Sequence, residues 1–216
     1  MTDALNTYVH RYLAPQGDDS RTLLLLHGTG GDENDLLGLG KMISPGSALL
    51  SPRGRVLEHG MPRFFRRLAE GVFDEDDVRA RAHELADFIG AACERYGIAA
   101  PVALGYSNGA NIAAAVMLLR PDVLAGGILL RAMAPLTNPP VEQGLAGKAV
   151  LIVSGARDPI APPANAARLQ AMLERAGAQV DAQVLPSGHE LSQADVTLAQ
   201  QWLQANAATA LLGAQG

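Results

Sequence analysis

Short, unbroken runs of apolar residues constrain the fold of this chain more than any other feature. The clearest run, TLLLLHG at 22–28, is too short for a core helix and ends at a glycine. Runs of this length and composition are typical of strands that are buried on both faces of a sheet. Comparable runs predict further strands at 48–54, 101–107, 125–133 and 148–158.

Helical segments separate these runs and are predicted at 74–97, which is amphipathic, and at 108–122, 162–177 and 192–212. Strands that alternate with helices favour βαβ units, and therefore an α/β fold with a mostly parallel central sheet and helices on both faces. The more alternating segment 178–190 predicts a strand near the sheet edge, and 7–14 predicts an antiparallel edge strand. The length of 216 residues indicates a single domain over 1–216.

Composition and charge exclude several classes of function. The formal net charge is −5 and no long Lys/Arg run occurs, which argues against a nucleic-acid partner. The sequence has no run of about 18 apolar residues and no apolar signal segment near Met1, so we expect a cytoplasmic protein without a membrane span. The single cysteine, Cys93, excludes an internal disulfide and a multi-cysteine metal site. The sequence leaves open whether the chain forms a homodimer, since exposed apolar loops often mediate such contacts.

The glycine-rich segment 27–41 matches no nucleotide-binding motif. A Walker A loop needs a glycine five residues before its Gly-Lys pair, and Asp35 occupies that position. The spacing of the glycines also fails the dinucleotide fingerprint. The His-Glu pairs at 83–84 and 189–190 both lack the second histidine of a zinc-protease motif. We therefore expect neither a cofactor nor a metal.

The sequence GYSNG at 105–109 contains a candidate nucleophile, Ser107. In a G-x-S-x-G motif the serine occupies a strained strand-to-helix turn that exposes its hydroxyl above the carboxyl end of the strand. The context fits, because PVALG before the serine predicts a strand and ANIAAAVMLL after it predicts a helix. A serine hydroxyl is a weak nucleophile until a base takes its proton, so a histidine and a carboxylate must accompany it.

Chain order selects the base and the acid. Hydrolases with this motif carry their catalytic residues in the order Ser, acid, His. His189 is the histidine that follows Ser107, and it lies directly after the last predicted strand. Asp158 occupies a strand-end loop between them, whereas Asp122 lies at a helix end and Asp181 within a strand. Ser107, Asp158 and His189 are therefore the predicted catalytic triad.

An oxyanion hole needs two backbone N–H groups aimed at the developing negative charge. One is expected from Asn108, which follows the nucleophile at the N-terminus of the new helix. The other is expected from the loop HGTGG after the first long strand, with Thr29 as the candidate donor. His27, at the start of this loop, is interpreted as a structural residue.

Four segments in this order, LLLLHGTGGDENDL, GYSNGANIA, SGARDPIAP and SGHEL, resemble the phospholipase/carboxylesterase branch of the α/β-hydrolase superfamily. That branch contains small lidless carboxylesterases and acyl-protein thioesterases. The stretch SPRGRVLEHGMPRFFRR is similar to its small bacterial members, the hydrolases of the quinone-stress type. The resemblance covers roughly residues 20–205 and implies an α/β-hydrolase fold with no large lid. It also implies the triad and the oxyanion donors named above.

Two departures count against a thioesterase for long acyl chains. Those enzymes usually have G-F-S-Q-G-G around the nucleophile and H-G-L-G-D in the first loop, where this chain has GYSNGA and HGTGGD. The expected function is a serine carboxylesterase that hydrolyses short-chain carboxylic esters through an acyl-enzyme, with a small-molecule ester as its partner. Two alternatives stay open, an acyl thioesterase or lysophospholipase on longer chains, and a non-catalytic fold that binds a small ligand.

The segment 53–73 lacks clear periodicity and is predicted to form a wall of the site. Candidates for an acyl pocket are Met61, Phe64 and Phe65, with ordinary core packing as the alternative. Arg53 and Arg66 are candidates for binding an anionic group of the substrate, since arginine binds carboxylates bidentately. The alternative for both arginines is a solvated surface position.

Overall fold

The structure, a computed structural model, describes residues 4–16, 21–140 and 144–212. Within these ranges the strands are β1 (His10–Leu13), β2 (Thr22–Leu26), β3 (Ala48–Pro52), β4 (Val56–Glu58), β5 (Met61–Arg63), β6 (Arg67–Ala69), β7 (Val72–Phe73), β8 (Val102–Tyr106), β9 (Gly126–Leu130), β10 (Ala149–Gly155) and β11 (Gln179–Leu185). The α-helices are α1 (Leu37–Ile43), α2 (Glu75–Tyr96), α3 (Asn108–Leu119), α4 (Pro163–Arg175) and α5 (Gln193–Leu212).

Seven strands form the central sheet in the order β1-β3-β2-β8-β9-β10-β11. Every neighbouring pair is parallel except β1 and β3, which run antiparallel. This arrangement confirms the mostly parallel sheet predicted from the apolar runs. It also confirms the two edge strands that the sequence predicted from 7–14 and 178–190.

Helices cover both faces of the sheet, and the pleat of β2 shows why. All five residues of β2 are buried, with Leu24 and Leu26 in the core beneath α2, α3 and α4. Leu23 and Leu25 point to the opposite core, which is closed by α1 and α5. Because successive side chains alternate between faces, a strand between two helical layers is apolar on both faces, as the four leucines of β2 are. No helix in the described ranges is long and apolar enough to cross a membrane.

Residues 53–73 form two hairpins, which we call the hairpin wall. In the first hairpin, β4 pairs with β5, and Glu58 lies opposite Met61. The two residues of its turn, His59 and Gly60, take positive φ values of 52° and 81°. A two-residue turn with both φ values positive matches the twist of paired strands, which explains the tight reversal. The second hairpin pairs β6 with β7.

Two parts of this fold differ from the sequence predictions. The hairpins were not predicted, because strands of two or three residues have no periodicity to detect. The short helix α1 was also not predicted, because its sequence LGLGKMI contains two glycines, which are poor helix formers. Gly40 suits this helix because a Cβ there would stand 3.1 Å from side-chain carbons of Leu25 and Leu49. The glycine thus lets α1 pack directly on the sheet.

Candidate active site

Ser107 occupies the turn between β8 and α3, with φ 52° and ψ −115°. A positive φ is strained for a residue with a side chain, so the surroundings must hold it there. The Ser107 N–H donates to the carbonyl of Leu130 at 2.9 Å, and the Asn111 N–H donates to the Ser107 carbonyl at 3.0 Å. A Cβ at Gly105 would lie 2.6 Å from the Cα of Ala110, so glycine is needed for α3 to start this close to β8.

The structure brings together the three residues of the predicted triad. His189 Nε2 lies 2.9 Å from Ser107 Oγ, and His189 Nδ1 lies 2.8 Å from Asp158 Oδ2. The other Asp158 oxygen accepts the N–H groups of Ile160 and Ala161 at 2.8 and 2.9 Å. Because the carboxylate accepts from Nδ1, that nitrogen carries the proton and Nε2 is free to accept one. The arrangement can pass a proton from the serine to the imidazole.

The loop that carries His189 is fixed through its own backbone. Four consecutive carbonyl oxygens, those of residues 187–190, each accept a hydrogen bond. Arg131 donates to residues 188 and 190 at 2.9 and 3.0 Å, and the Tyr106 hydroxyl donates to residue 189 at 3.1 Å. The N–H of Arg157 donates to residue 187 at 3.0 Å. Burial raises the pKa of Tyr106, so its hydroxyl stays protonated as a donor.

Arg131 is itself held by a buried ion pair with Asp195. The two side chains meet at 2.7 and 3.1 Å and neither has any exposed surface. Asp195 also accepts the backbone N–H and the hydroxyl of Ser192 at 2.8 and 2.9 Å. Sequence analysis missed Arg131, for which the available signal was a charged residue inside the apolar segment AGGILLRAM. We call Ser107, Asp158, His189 and Arg131 the strand-end cluster.

Thr29 and Asn108 lie on the same side of the sheet as Ser107 and line one cavity with it. Within the described ranges, neither of their backbone N–H groups donates to a protein acceptor. Their side chains are engaged with the hairpin wall. Thr29 Oγ1 accepts from Arg63 Nη1 at 2.9 Å, and Asn108 Oδ1 accepts from the Phe64 N–H at 2.8 Å. The wall therefore holds both residues while their N–H groups remain available to a ligand.

His27 has both ring nitrogens occupied. Its Nδ1 donates to the carbonyl of Gly28 at 2.7 Å, and its Nε2 accepts the N–H of Gly54 at 2.9 Å. Burial lowers the pKa of His27, which keeps the ring neutral and suits one donor and one acceptor. The geometry agrees with its interpretation as a structural residue, because the ring links the first loop to the hairpin wall.

The cavity at Ser107 has a volume of about 320 Å³. Its lining combines the apolar side chains of Phe73, Met133 and Ile160 with the charged side chains of Arg63, Arg67 and Glu70 and the imidazole of His189. A larger cavity of about 560 Å³ lies between β11 and α5, and Asp181 is the titratable residue of its lining. The smaller cavity holds the serine and the histidine, so we assign the candidate active site to it.

The three apolar residues predicted for the acyl pocket do not line this cavity. Phe64 and Phe65 are buried in the core, where Phe65 contacts the ring of Phe73 edge-on at 5.1 Å. Met61 is exposed next to the turn of the first hairpin. The two phenylalanines are buried in the core because burying an aromatic ring removes a large apolar area from water. Phe73 lies in the cavity lining instead.

The two predicted arginines also lie away from the cavity. Arg53 donates to both carboxylate oxygens of Glu33, at 2.5 and 2.8 Å. Arg66 is largely exposed and pairs with Asp74 at 2.8 Å. The nearby Arg63 and Arg67 line the cavity in their place. The structure therefore places neither of the two predicted arginines in the cavity lining.

Comparison with known proteins identifies the class that this fold and site define. The sheet, the helices and the serine turn form an α/β-hydrolase-type fold. The model of the phospholipase/carboxylesterase family matches residues 10–207, and the chain belongs to that family. The resemblance found from the sequence is thereby confirmed, and the protein is a hydrolase of this family.

Individual relatives extend over most of the chain. The MhqD protein of Bacillus subtilis (strain 168), whose name puts it among the hydrolases, is 43% identical over 194 residues, which are 89% of this chain and 96% of that protein. A carboxylesterase from Bacillus cereus is 42% identical, with a TM-score of 0.87 over 90% of this chain and 92% of its own. YahD, solved with malic acid, is 32% identical, with a TM-score of 0.82 over 90% of this chain and 97% of its own.

Proposed function

We propose that this protein is a serine carboxylesterase that hydrolyses small, short-chain carboxylic esters. One observation carries the proposal, the contact of 2.9 Å between Ser107 Oγ and His189 Nε2, two residues that line the same cavity. Membership of the phospholipase/carboxylesterase family and similarity to a carboxylesterase support the same reaction class.

In the acylation step, Ser107 Oγ attacks the ester carbonyl carbon while His189 Nε2 takes the hydroxyl proton. Asp158 stabilises the resulting imidazolium through Nδ1. The former carbonyl oxygen becomes negatively charged and accepts hydrogen bonds from the N–H groups of Thr29 and Asn108. Each such donor contributes about 10²–10³ in rate. The intermediate then breaks its bond to the alcohol oxygen, which leaves with the proton from His189 Nε2.

In the deacylation step, a water attacks the acyl-enzyme and gives a proton to His189 Nε2. The second tetrahedral intermediate breaks its bond to Ser107 Oγ, which regains the proton from the imidazolium. The carboxylic acid is released and the triad returns to its starting state. Every proton and electron pair is exchanged among substrate, water and the triad, so the chemistry needs no cofactor.

The dimensions of the cavity favour a short acyl group. A volume of about 320 Å³ is at the lower end of the range of roughly 300–1,000 Å³ for small-molecule pockets. Phe73, Met133 and Ile160 provide its apolar surface, which suits a short aliphatic or aromatic group. YahD, a related protein, was solved with malic acid, a small polar molecule. A small substrate with polar substituents is compatible with both observations.

A series of 4-nitrophenyl esters from acetate to palmitate tests this proposal. We expect kcat/KM to be highest at acetate to butyrate and to fall steeply beyond about eight carbons, because the cavity cannot enclose a longer chain. Ser107→Ala serves as the matched control for spontaneous hydrolysis. A maximum at palmitate would contradict the short-chain assignment, and equal rates in Ser107→Ala would contradict the serine mechanism.

A further inference from the structure

Two cationic side chains line the cavity beside Ser107. Arg63 is 3% exposed, and Arg67 is partly exposed. Arginine is rarely buried to this extent unless its charge has a partner. Both guanidinium groups share the same partner, Glu58, which lies opposite Met61 in the first hairpin.

One carboxylate balances only one of these two positive charges. Glu58 Oε2 accepts from Arg63 Nη1 at 3.0 Å, and Glu58 Oε1 accepts from Arg67 Nε at 2.9 Å. The hydrogen bond from Arg67 lowers the pKa of Glu58, and the charge of Arg63 adds to the effect, so this carboxylate stays ionised. Arginine stays protonated even where burial lowers its pKa, as it does for Arg63. The trio therefore carries a net charge of about +1.

Several donors of the two arginines remain unused. Arg63 also donates from Nη1 to Thr29 Oγ1 and from Nε to the carbonyl of Phe65. Within the described ranges, no acceptor is bonded to Arg63 Nη2 or to the terminal nitrogens Nη1 and Nη2 of Arg67. Glu70 also lines the cavity, but it is exposed at the turn of the second hairpin and forms no ion pair with either arginine in the described ranges.

Their neighbours in sequence are bonded differently. Arg53 uses two nitrogens on a single carboxylate, Glu33, and Arg66 has both Asp74 and Asp77 within 4 Å. Each of these arginines therefore has at least one carboxylate of its own outside the cavity. Of these four arginines, the two that share a single carboxylate are the two that line the cavity with Ser107.

We propose that Arg63 and Arg67 bind a carboxylate of the substrate, so that the preferred substrates are small esters with a free carboxylate group. A half-ester of a dicarboxylic acid and an acetate ester of a hydroxybenzoic acid both belong to this class. A guanidinium pair binds a planar carboxylate through parallel charge-assisted hydrogen bonds, and the substrate would supply the missing negative charge. This assignment rests on the proposed function, because it names the substrate of the same site.

Matched pairs of esters test the assignment. The first pair is mono-4-nitrophenyl glutarate and its primary-amide analogue, which differ only in the charge of the acyl part. The second pair is 4-carboxyphenyl acetate and 4-carbamoylphenyl acetate, which differ in the charge of the alcohol part. We expect kcat/KM for the carboxylate to exceed that for the amide by about 10–100-fold in at least one pair. If kcat/KM is equal for the carboxylate and the amide in both pairs, the assignment is overturned.

Variants assign any preference to the arginines. Arg67→Gln removes a cavity charge from a partly exposed side chain, and we expect the carboxylate-to-amide ratio to fall at least about tenfold. Arg67→Lys keeps the charge without the planar fork and should restore part of the ratio. Arg66→Gln, the neighbouring arginine outside the cavity, is the matched control and should retain the wild-type ratio. An unchanged ratio in Arg67→Gln would overturn the assignment.

The same assays separate this assignment from the proposed function. Hydrolysis of the amide esters, together with its loss in Ser107→Ala, reports serine esterase activity regardless of charge. If both amide esters are hydrolysed without a carboxylate preference, the arginine assignment is wrong and the esterase proposal stands. If no ester in either pair is hydrolysed, and no activity is found on neutral 4-nitrophenyl esters, the proposed function itself is wrong.

Discussion

The two sides of the cavity are built on different principles. In the strand-end cluster, the charged groups are paired and buried, and Arg131 and Asp158 have no exposed side-chain surface. In the hairpin wall, strands of two or three residues leave Leu57 and Leu68 about 70% exposed, and two guanidinium groups share one carboxylate. A fully satisfied polar network keeps one geometry, whereas unsatisfied donors are available to a ligand. We infer that the cluster performs the reaction and the wall selects the substrate.

Removal of the nucleophile should have the largest effect. Ser107→Ala eliminates the attacking oxygen, and we expect kcat/KM on 4-nitrophenyl butyrate to fall about 10⁵–10⁶-fold. The melting temperature should change by no more than about 2 °C, because the substitution removes one partly exposed hydroxyl. Steady-state kinetics and thermal melting measure the two quantities. More than about 1% residual activity would mean that the cluster does not supply the nucleophile.

The next largest effect should come from the support of the histidine loop. Replacing the buried pair by apolar residues, in Arg131→Met with Asp195→Leu, removes the donors to residues 188 and 190 without leaving an unpaired charge. Such replacements are often neutral for stability. We expect kcat to fall about 100-fold with KM within about threefold, because a misplaced base impairs the reaction more than binding.

The single variant Arg131→Met is the control for this prediction. It leaves the Asp195 carboxylate buried without its partner and should cost about 3–5 kcal/mol in the free energy of unfolding, measured by denaturant titration. A stable double variant with wild-type kcat would show that the loop does not need these bonds.

A smaller effect is expected from the single bond between Tyr106 and the histidine backbone. Tyr106→Phe removes the hydroxyl that donates to the His189 carbonyl and keeps the ring, so kcat should fall about 2–10-fold. Tyr96→Phe is the matched control, since its hydroxyl bonds to His10 outside the site. Steady-state kinetics on a neutral ester would compare the two, and equal losses would show that the effect is not specific to the loop.

The smallest effect on activity is expected at Arg53, in the hairpin wall but outside the cavity. Arg53→Ala should leave KM within about twofold for carboxylate and neutral esters alike, because its guanidinium bonds to Glu33. The free energy of unfolding should fall, since Glu33 is buried and loses its partner. A rise in KM for carboxylate esters alone would show that Arg53 contributes to binding the substrate carboxylate.

The strand-end cluster was largely predictable from sequence because Ser107, Asp158 and His189 each follow a predicted strand. Parallel strands end at one edge of the sheet, so Ser107, Asp158 and His189 had to lie near one another once β8, β10 and β11 were recognised. Arg131 was not predicted, because its role depends on the loop carbonyls at 187–190, which only the folded chain brings to its guanidinium.

For the hairpin wall, the sequence predicted only that residues 53–73 line the site, and not the two hairpins or the side chains that reach the cavity. The arginines of the wall are chemically identical, and no local pattern distinguishes Arg63 and Arg67, which line the cavity, from Arg53 and Arg66, which do not. The position of Arg63 follows from the turn at 59–60 and from the register that sets Val56 opposite it. Register in such short strands is fixed by contacts with the rest of the fold, among them the bond from the Phe64 N–H to Asn108.

The central claim, that Ser107 is an activated nucleophile, is tested most directly by covalent labelling. The protein is treated with a fluorophosphonate, digested, and analysed by mass spectrometry to locate the adduct. We predict a single adduct on Ser107, no adduct in Ser107→Ala, and labelling slowed at least about 10³-fold in His189→Ala, where the base is missing. An adduct on another residue, or wild-type labelling in Ser107→Ala, would contradict the account.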